Sequence, residues 1–241
     1  MTKTPKIRKR IEQNRITITQ MLSGATSTKR LNNLNWLCHE IAYEEPKILF
    51  FMSAKEQKPY LDYTYMQNID VAYNYTLHNP DTPIDAIEIC KIHSMLCANT
   101  NIQGGLFRTS PKIVEITVNG MRMHAPDPSE IMSKLNMIVY KLNNSSADVL
   151  TRAFSLHYDL IALQPFDDFN KRTARLVMNW FLVQNGYRPV VFNNKSDKRK
   201  YIEAITAYAN GDRKRYMAFM QACLVRTQEQ LINVIHKSKV L

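Results

Sequence analysis

The residues that could do chemistry lie in one polar loop, QPFDDFNKRTAR, which runs from Gln164 to Arg175. This loop brings two carboxylates, an asparagine amide and three cations together between two apolar runs. One helix is predicted to end near Leu163, and a second to begin within residues 170–172. Because the free N–H groups at a helix N-terminus carry partial positive charge, the loop is predicted to bind an anion.

Charged side chains around this helix start extend the prediction to a polyphosphate. Arg172 and Arg175 are three residues apart and share a helix face, so both are predicted to reach one phosphate chain with bidentate geometry. Asp168 offers a hard oxygen ligand that suits a phosphate-bound Mg²⁺. An alternative stays open from the residues alone. Asp168 and Asn170 would then only cap the helix, and the arginines would be solvated. Under either interpretation, Phe166 is expected to be a core anchor.

The flanking sequence predicts a mainly helical protein. The segment TPIDAIEICKIHSML offers Thr82 as an N-cap that is followed by proline at the first helical position. The segment DPSEIMSKLNMIVYKL begins with a capping box formed by Asp127 and Glu130. A helix that leaves the polar loop is predicted to end at Gly186, and two further helices are predicted to separate near Gly211.

One segment departs from helical spacing. KIVEITVNGMRMHA alternates and is rich in β-branched residues, and its Asn119-Gly120 pair is a strong turn signal. A small β-hairpin is therefore predicted over residues 112–124. Two strands are only marginally stable alone, so the hairpin must lie against the helices or pair with another strand.

Composition and charge narrow the classes of function. The 241 residues carry a formal net charge of +11, which favours anionic partners such as nucleotides, nucleic acid or acidic proteins. The four cysteines show no C-x-x-C spacing, which argues against a zinc site or a disulfide framework. The N-terminal residues lack the apolar stretch of a signal peptide, and the longest apolar run, ILFFM, is too short to span a bilayer. We therefore expect a cytoplasmic protein with no membrane contact.

The polar loop resembles the motif of the Fic/Doc (Fido) family, which begins His-Pro-Phe and continues Asp/Glu-Gly-Asn-Gly-Arg-x-x-Arg. The residues that match by type and spacing are Pro165, Phe166, Asp168, Asn170, Arg172 and Arg175. The resemblance extends over most of residues 85–230 and includes KIHSML, GGLFRTS, the hairpin, HYDLIALQPF and YIEAITAYANGDRKRYMAFM. It implies a Fic-fold helical bundle with one small β-hairpin, the flap, beside the active-site loop. Residues 1–80 would form a helical extension packed on a core of residues 81–241, within one compact domain.

The resemblance also implies nucleotidyl transfer, usually of AMP from ATP to a protein hydroxyl, with phosphoryl or phosphocholine transfer in relatives. Asp168 would bind Mg²⁺, Asn170 and the loop amides of Phe169 and Lys171 would hold phosphate oxygens, and Arg172 would clamp phosphate. Arg175 would reach the outer part of the phosphate chain. A protein target would add to the flap as an extra strand. The flap positions predicted to dock it are Ile113, Val114, Glu115, Ile116, Thr117 and Val118.

Three positions depart from the family motif. Gln164 stands where the family has the histidine that deprotonates the target hydroxyl, and an amide has no useful basicity near pH 7. Losing such a base typically costs about 10²–10⁴-fold in rate. Phe169 replaces a small residue that lets phosphate approach the backbone, so it is expected to block or re-aim the site. Lys171 replaces a glycine, but the NKRTA pattern also occurs in the Doc-like branch of the family.

Other residues are candidates to replace the missing base, and one segment resembles an inhibitory motif of the family. Asp167, His157 and His124 are candidate bases, and His157 is expected to be a satisfied core residue. Many relatives carry an inhibitory helix with the pattern Ser/Thr-x-x-x-Glu-Gly/Asn. Residues Thr28 to Asn33, TKRLNN, have its spacing but offer an amide where glutamate belongs. We interpret this segment as a lapsed inhibitory motif or a chance match.

Three functions follow as hypotheses. The first is a pseudoenzyme-like Fic protein that keeps the positions for ATP and Mg²⁺, has weak or no transferase activity, and binds nucleotide or a protein partner. The second is an active nucleotidyl- or phosphotransferase of altered chemistry. The third is a basic module that contacts nucleic acid or protein through KIRKR, KSDKRK and DRKR. A steep loss of binding with salt would support nucleic acid.

Overall fold

The computed structural model describes residues 4–23, 59–116, 121–192 and 195–238. The suggested inhibitory segment from Thr28 to Asn33 lies outside these residues. So do the last two predicted docking positions of the flap, Thr117 and Val118, and the Asn119-Gly120 turn.

Eight α-helices and one two-stranded sheet make up the described residues, which confirms the mainly α class. The helices are α1 (Thr4–Ser23), α2 (Pro59–His78), α3 (Ala86–Cys97), α4 (Ile131–Asn144), α5 (Val149–Leu163), α6 (Asn170–Gln184), α7 (Lys195–Ala209) and α8 (Arg213–Ser238). The strands are β1 (Ile113–Ile116) and β2 (Met121–His124), and a 3₁₀ turn at Pro128–Glu130 leads into α4. Among the described helices, none combines the length and the apolar character needed to cross a membrane.

The described residues fall into two compact units. One unit contains α1, α7 and α8. In it α1 and α7 each pack along α8, and Ile18 of α1 meets Leu231 and Ile235 of α8. The other unit, residues 59–116 and 121–185, contains α2 to α6, the hairpin and the polar loop. The domain boundary proposed near residue 80 stays a prediction.

Helix α6 is the centre of the loop-bearing unit. It packs against α5, α3 and α2, and its residues from Thr173 to Leu182 are all buried. The Trp180 indole N–H, which lies in this buried stretch, donates to the carbonyl of Asn79 at 3.0 Å. A helix that is apolar on nearly every side belongs in a core. The polar loop is therefore attached directly to the best-packed element of its unit.

Most of the predicted helix boundaries are confirmed. Asp127 and Glu130 form the reciprocal hydrogen bonds of a capping box. Gly186 has φ +77° just after α6, and Gly211 has φ +90° between α7 and α8, as expected of glycines that follow helix ends. The prediction of Thr82 as an N-cap is wrong. Helix α3 begins at Ala86, and Asp85 caps it, because its carboxylate accepts the Glu88 N–H at 2.8 Å.

The predicted hairpin is confirmed as an antiparallel pair of strands. Ile113 pairs with His124 and Ile116 with Met121. The Ala125 N–H donates to the Lys112 carbonyl at 2.9 Å and extends the pairing by one step beyond the strands. The hairpin thus begins two residues after Ser110. It lies close in sequence to Arg108, whose side chain binds the backbone of the polar loop.

Two histidines are buried in the loop-bearing unit, and both are held neutral. Burial lowers the pKa of His93 to about 4, against a smaller opposing effect of its bond to the Asp168 carbonyl. Burial, together with the positive charge of Arg175, lowers the pKa of His157 to about 3. His157 is fully buried, which agrees with its expected place in the core.

The cap of α3 can be tested with a matched pair of variants. Asp85→Ala removes the side-chain acceptor and is expected to lower the free energy of unfolding by about 1 kcal/mol. Thr82→Ala removes the hydroxyl that the sequence alone favoured and is expected to change it by less than about 0.5 kcal/mol. Urea unfolding measures both. Equal losses, or a larger loss for Thr82→Ala, would contradict the assignment.

The buried histidines predict acid sensitivity. Their folded pKa values lie below the unfolded value of about 6.5, so the unfolded chain binds more protons and stability falls as pH drops from about 6.5 toward 4. At pH 5 each histidine is expected to cost about 2 kcal/mol relative to pH 7. His93→Gln should therefore lose less stability than the wild type between pH 7 and 5 in urea unfolding.

The exposed His124 provides the control for this experiment. His124→Gln replaces an exposed imidazole and controls for the substitution itself. An unchanged loss in His93→Gln would show that His93 does not stay neutral on folding.

Candidate nucleotide site

Gln164 ends α5 in a left-handed backbone conformation, with φ +46° and ψ +59°. Its backbone N–H donates to the Leu160 carbonyl at 3.1 Å, and its side-chain Nε2 donates to the Ile161 carbonyl at 2.8 Å. Only 5% of the residue is exposed. The amide that replaces the family histidine is thus folded back onto the last turn of its own helix.

Arg108 clamps the backbone where the loop leaves α5. Its Nε donates to the Gln164 carbonyl at 2.7 Å, and its backbone N–H donates to the Pro165 carbonyl at 3.0 Å. The other guanidinium nitrogens donate to the carbonyls of Ser110 at 2.8 Å and Pro126 at 2.5 Å. Burial lowers the pKa of Arg108, but arginine keeps its charge at neutral pH. One buried cation therefore ties the loop, the segment before the hairpin and the segment after it.

Phe166 and Asn170 fix the turn of the loop. The Asn170 Oδ1 accepts the Phe166 N–H at 2.9 Å, and its Nδ2 donates to the Phe166 carbonyl at 2.7 Å. The Phe166 ring is fully buried and stacks on the His93 ring, with centroids 3.7 Å apart and planes at 3°. Phe166 is the core anchor that the sequence predicted. The Asn170 side chain thus holds the loop backbone through both its oxygen and its nitrogen.

His93 supports the loop from α3. Its Nε2 lies 3.1 Å from the Asp168 carbonyl, and its Nδ1 accepts the Gly105 N–H at 2.9 Å. These partners assign a neutral ring that donates from Nε2 and accepts at Nδ1. A Cβ on Gly104 would lie 2.8 Å from the Ser94 Cα, so the segment that carries Gly105 can approach α3 only with glycine there.

Phe169 adopts φ +57°, a conformation that favours glycine, which is what the family motif places there. Its ring is 4% exposed and meets the Tyr65 ring edge-on at 5.4 Å. The Arg172 guanidinium lies 4.4 Å from the Phe169 centroid and 5.1 Å from the Tyr65 centroid. Burial lowers the pKa of Arg172. The predicted phosphate clamp therefore makes cation–π contacts with two aromatic rings.

The remaining cations of the motif are placed differently. Arg175 is 2% exposed and close enough to His157 to affect its pKa, whereas Lys171 is half-buried. The structure brings Arg172 and Lys171 to the first turn of α6, but it buries Arg175 beneath them. Contact of both arginines with one phosphate chain stays a prediction.

Asp168 is the residue that could hold a metal ion. It is exposed, and its Oδ1 accepts the Phe169 N–H at 2.6 Å. Mg²⁺ is commonly held by one or two carboxylates together with substrate phosphates, so one exposed aspartate beside an anion site fits it. Within the described ranges, no group of three or more His, Cys, Asp or Glu side chains could hold a metal ion by itself.

The flap and a cleft lie next to the loop. Lys112, just before β1, donates from Nζ to the Phe166 carbonyl at 3.3 Å and to the Asp167 carbonyl. Ile113, the first flap position, is 49% exposed. A cavity of 460 Å³ lies between the end of β2, α4 and the last turn of α5. Its lining residues are Met123, His124, Pro126, Lys134, Met137, Ile138, Lys141, Asp159, Ala162 and Leu163.

The three candidate replacement bases have different environments. His157 is fully buried in α5, so it has no access to a substrate hydroxyl in this conformation. Asp167 is exposed in the loop, and His124 is exposed on the cavity rim.

Sequence reasoning missed Arg108, His93 and Tyr65 as loop supports. The only signal for the first of these was the glycine pair of GGLFRTS, which marks a close backbone approach.

Known proteins share both this sequence pattern and this fold. A protein adenylyltransferase Fic from Aedes aegypti is 32% identical over 167 residues, which is 66% of this chain and 32% of that protein. The chain therefore spans about a third of the length of this curated relative. A Fic domain containing signaling protein from Bacteroides thetaiotaomicron superposes with a TM-score of 0.73 at 18% identity, covering 95% of this chain and 97% of the other.

A second solved structure, IbpAFic2 in complex with adenylylated Cdc42, superposes with a TM-score of 0.51 at 18% identity, covering 95% of this chain and 75% of that one. Residues 83–182, which run from the approach to α3 to the end of α6, match the Fic/DOC family. They contain the clamp, the hairpin and the complete polar loop. This part of the chain, residues 83–182, therefore belongs to the Fic/DOC family.

Proposed function

We propose that this chain binds nucleotide phosphate at the start of α6 and transfers AMP weakly or not at all. The observation that carries the proposal is the state of Gln164. Its side chain is 5% exposed, bonded to the Ile161 carbonyl, and has no titratable group. The position that should accept a proton from the target hydroxyl has no base.

The anion-binding part of the site supports retained phosphate binding. The first intrahelical bond of α6 runs from the Thr173 N–H to the Phe169 carbonyl, so the N–H groups of residues 170–172 precede the hydrogen-bonded helix. Arg172 adds a full positive charge at the same end. A guanidinium has five N–H donors, so the cation–π contacts of Arg172 are compatible with phosphate binding.

In AMP transfer a target hydroxyl oxygen bonds to the α-phosphorus of ATP, the bond to the β-phosphate oxygen breaks, and the hydroxyl proton must leave. The chain supplies positioning for this step through α6 and Arg172, and Mg²⁺ held at Asp168 would neutralise phosphate charge. Gln164 can donate and accept hydrogen bonds but cannot take the proton. The missing base corresponds to about 3–5 kcal/mol at the transition state.

The comparisons support the substrate class of this proposal. The Aedes aegypti relative is an adenylyltransferase, and the IbpAFic2 structure contains adenylylated Cdc42. A protein partner docked on the flap, main chain to main chain with β1, and ATP as the nucleotide are therefore the proposed ligands. The alternative chemistries of the family find no specific support in the geometry.

A set of variants at two positions tests the proposal. Gln164→His restores the base, and Phe169→Gly replaces the ring at a backbone angle that suits glycine. With ATP labelled at the α-phosphate and a whole-cell protein extract as acceptor, wild type is expected to transfer at background level. The double variant is expected to exceed Gln164→His by at least about tenfold, because Phe169 limits access in the single variant.

Adding Arg172→Ala to the double variant is the control and is expected to return transfer to background. Circular dichroism and thermal unfolding establish that each variant is folded. Wild-type transfer equal to that of the double variant would show that no histidine is needed. Full transfer by Gln164→His alone would show that Phe169 is no obstacle.

A further inference from the structure

The positive charge of this protein is concentrated in the unit outside the Fic match. We call this unit, formed by residues 4–23, 186–192 and 195–238, the basic unit. It carries 15 lysines and arginines against five acidic residues. The loop-bearing unit, residues 59–116 and 121–185, carries 10 lysines and arginines against 12 acidic residues. A charge needed only for solubility has no reason to collect in one unit.

The cations of the basic unit lie on its helices and face solvent. The exposed residues are Lys6, Lys9 and Arg10 on α1, Arg199 and Lys200 on α7, and Arg213, Lys214 and Arg215 in the first turn of α8. Within the described residues, the four lysines among them form no ion pair. These ammonium groups are therefore available to an external anion.

Glu203 joins the cations of two helices into one surface. Its carboxylate accepts Arg199 Nε at 2.9 Å and Arg215 Nη2 at 3.3 Å. Below it, Tyr201 packs against Phe192 and Phe219, with centroids 5.1 and 6.3 Å apart, and fixes α7 on α8. Charges held on packed helices lose less conformational freedom on binding than charges in a flexible tail.

We infer that the basic unit binds the phosphate backbone of double-stranded nucleic acid without reading its sequence. Lysines and arginines spread over several helices match the regular, dense phosphates of a duplex, whose neutralisation releases counterions. This surface is separate from the nucleotide site, since it uses none of the residues of the polar loop.

The absence of apolar anchors favours nucleic acid over a lipid surface. Membrane-surface helices combine basic residues with large exposed apolar ones. Of the large hydrophobic side chains exposed in the described residues, only Ile16, 45% exposed, belongs to the basic unit. The others lie in the loop-bearing unit.

The test compares two pairs of lysines in the full chain by fluorescence anisotropy with a labelled duplex of about 20 base pairs. Lys200→Gln with Lys214→Gln removes two unpaired charges from the basic unit. Their loss is expected to weaken binding about tenfold or more at 0.1 M salt. It is also expected to reduce the salt slope, which is the slope of log K against log salt concentration, by about two. Lys134→Gln with Lys141→Gln removes the same charge from α4 and is expected to leave the affinity and the salt slope unchanged.

Three outcomes would overturn the inference. The first is that wild type shows no duplex binding at 50 mM salt. The ordinary Kd of non-specific binding is about 10⁻⁶ M or weaker. The second is equal weakening by the two lysine pairs, which would indicate net charge alone. The third is tighter binding to vesicles of phosphatidylcholine with about a third phosphatidylserine than to the duplex, which would assign the surface to anionic lipid. Because the inferred binding does not read the base sequence, two duplexes of unrelated sequence are expected to bind equally.

Discussion

The polar loop depends on donors that satisfy each of its backbone carbonyls in turn. From residue 164 to residue 168 these carbonyls accept from Arg108, Asn170, Lys112 and His93, three of which lie more than 50 positions away in the sequence. A buried carbonyl without a donor costs as much as a lost hydrogen bond, so these contacts leave the loop little conformational freedom. The same hydrogen bonds fix the positions at which α6 and β1 begin.

This dependence separates the framework of the site from its chemistry. The donors that hold the backbone are in place. Of the residues that they hold, Pro165, Phe166 and Asp168 match the family motif, whereas Gln164 does not. Under the proposed function, the substitutions fall on groups that would meet substrate. Gln164 supplies an amide in place of a base, and Phe169 supplies a buried ring at a glycine conformation.

Local sequence predicted the elements well because local interactions determine them. The capping box at Asp127, the hairpin and the glycine at 186 each depend on neighbours within a few residues. The error at Thr82 arose because two cap residues lie three positions apart, and only the backbone angles of Asp85 decide between them. Tertiary contacts were beyond the sequence: nothing near His93 indicates that its ring stacks on Phe166. The interpretation of Asn170 was likewise incomplete, since its side chain is used by the backbone of the loop.

Thermal unfolding with saturating Mg-ATP is the most direct test of whether the start of α6 binds nucleotide although the base is missing. At about 100-fold above Kd, binding adds about 2.7 kcal/mol, which is about 5–10 °C for a domain of this size. We predict a rise of this order in wild type that is lost in Arg172→Ala. No rise in wild type, or an equal rise in both proteins, would contradict it.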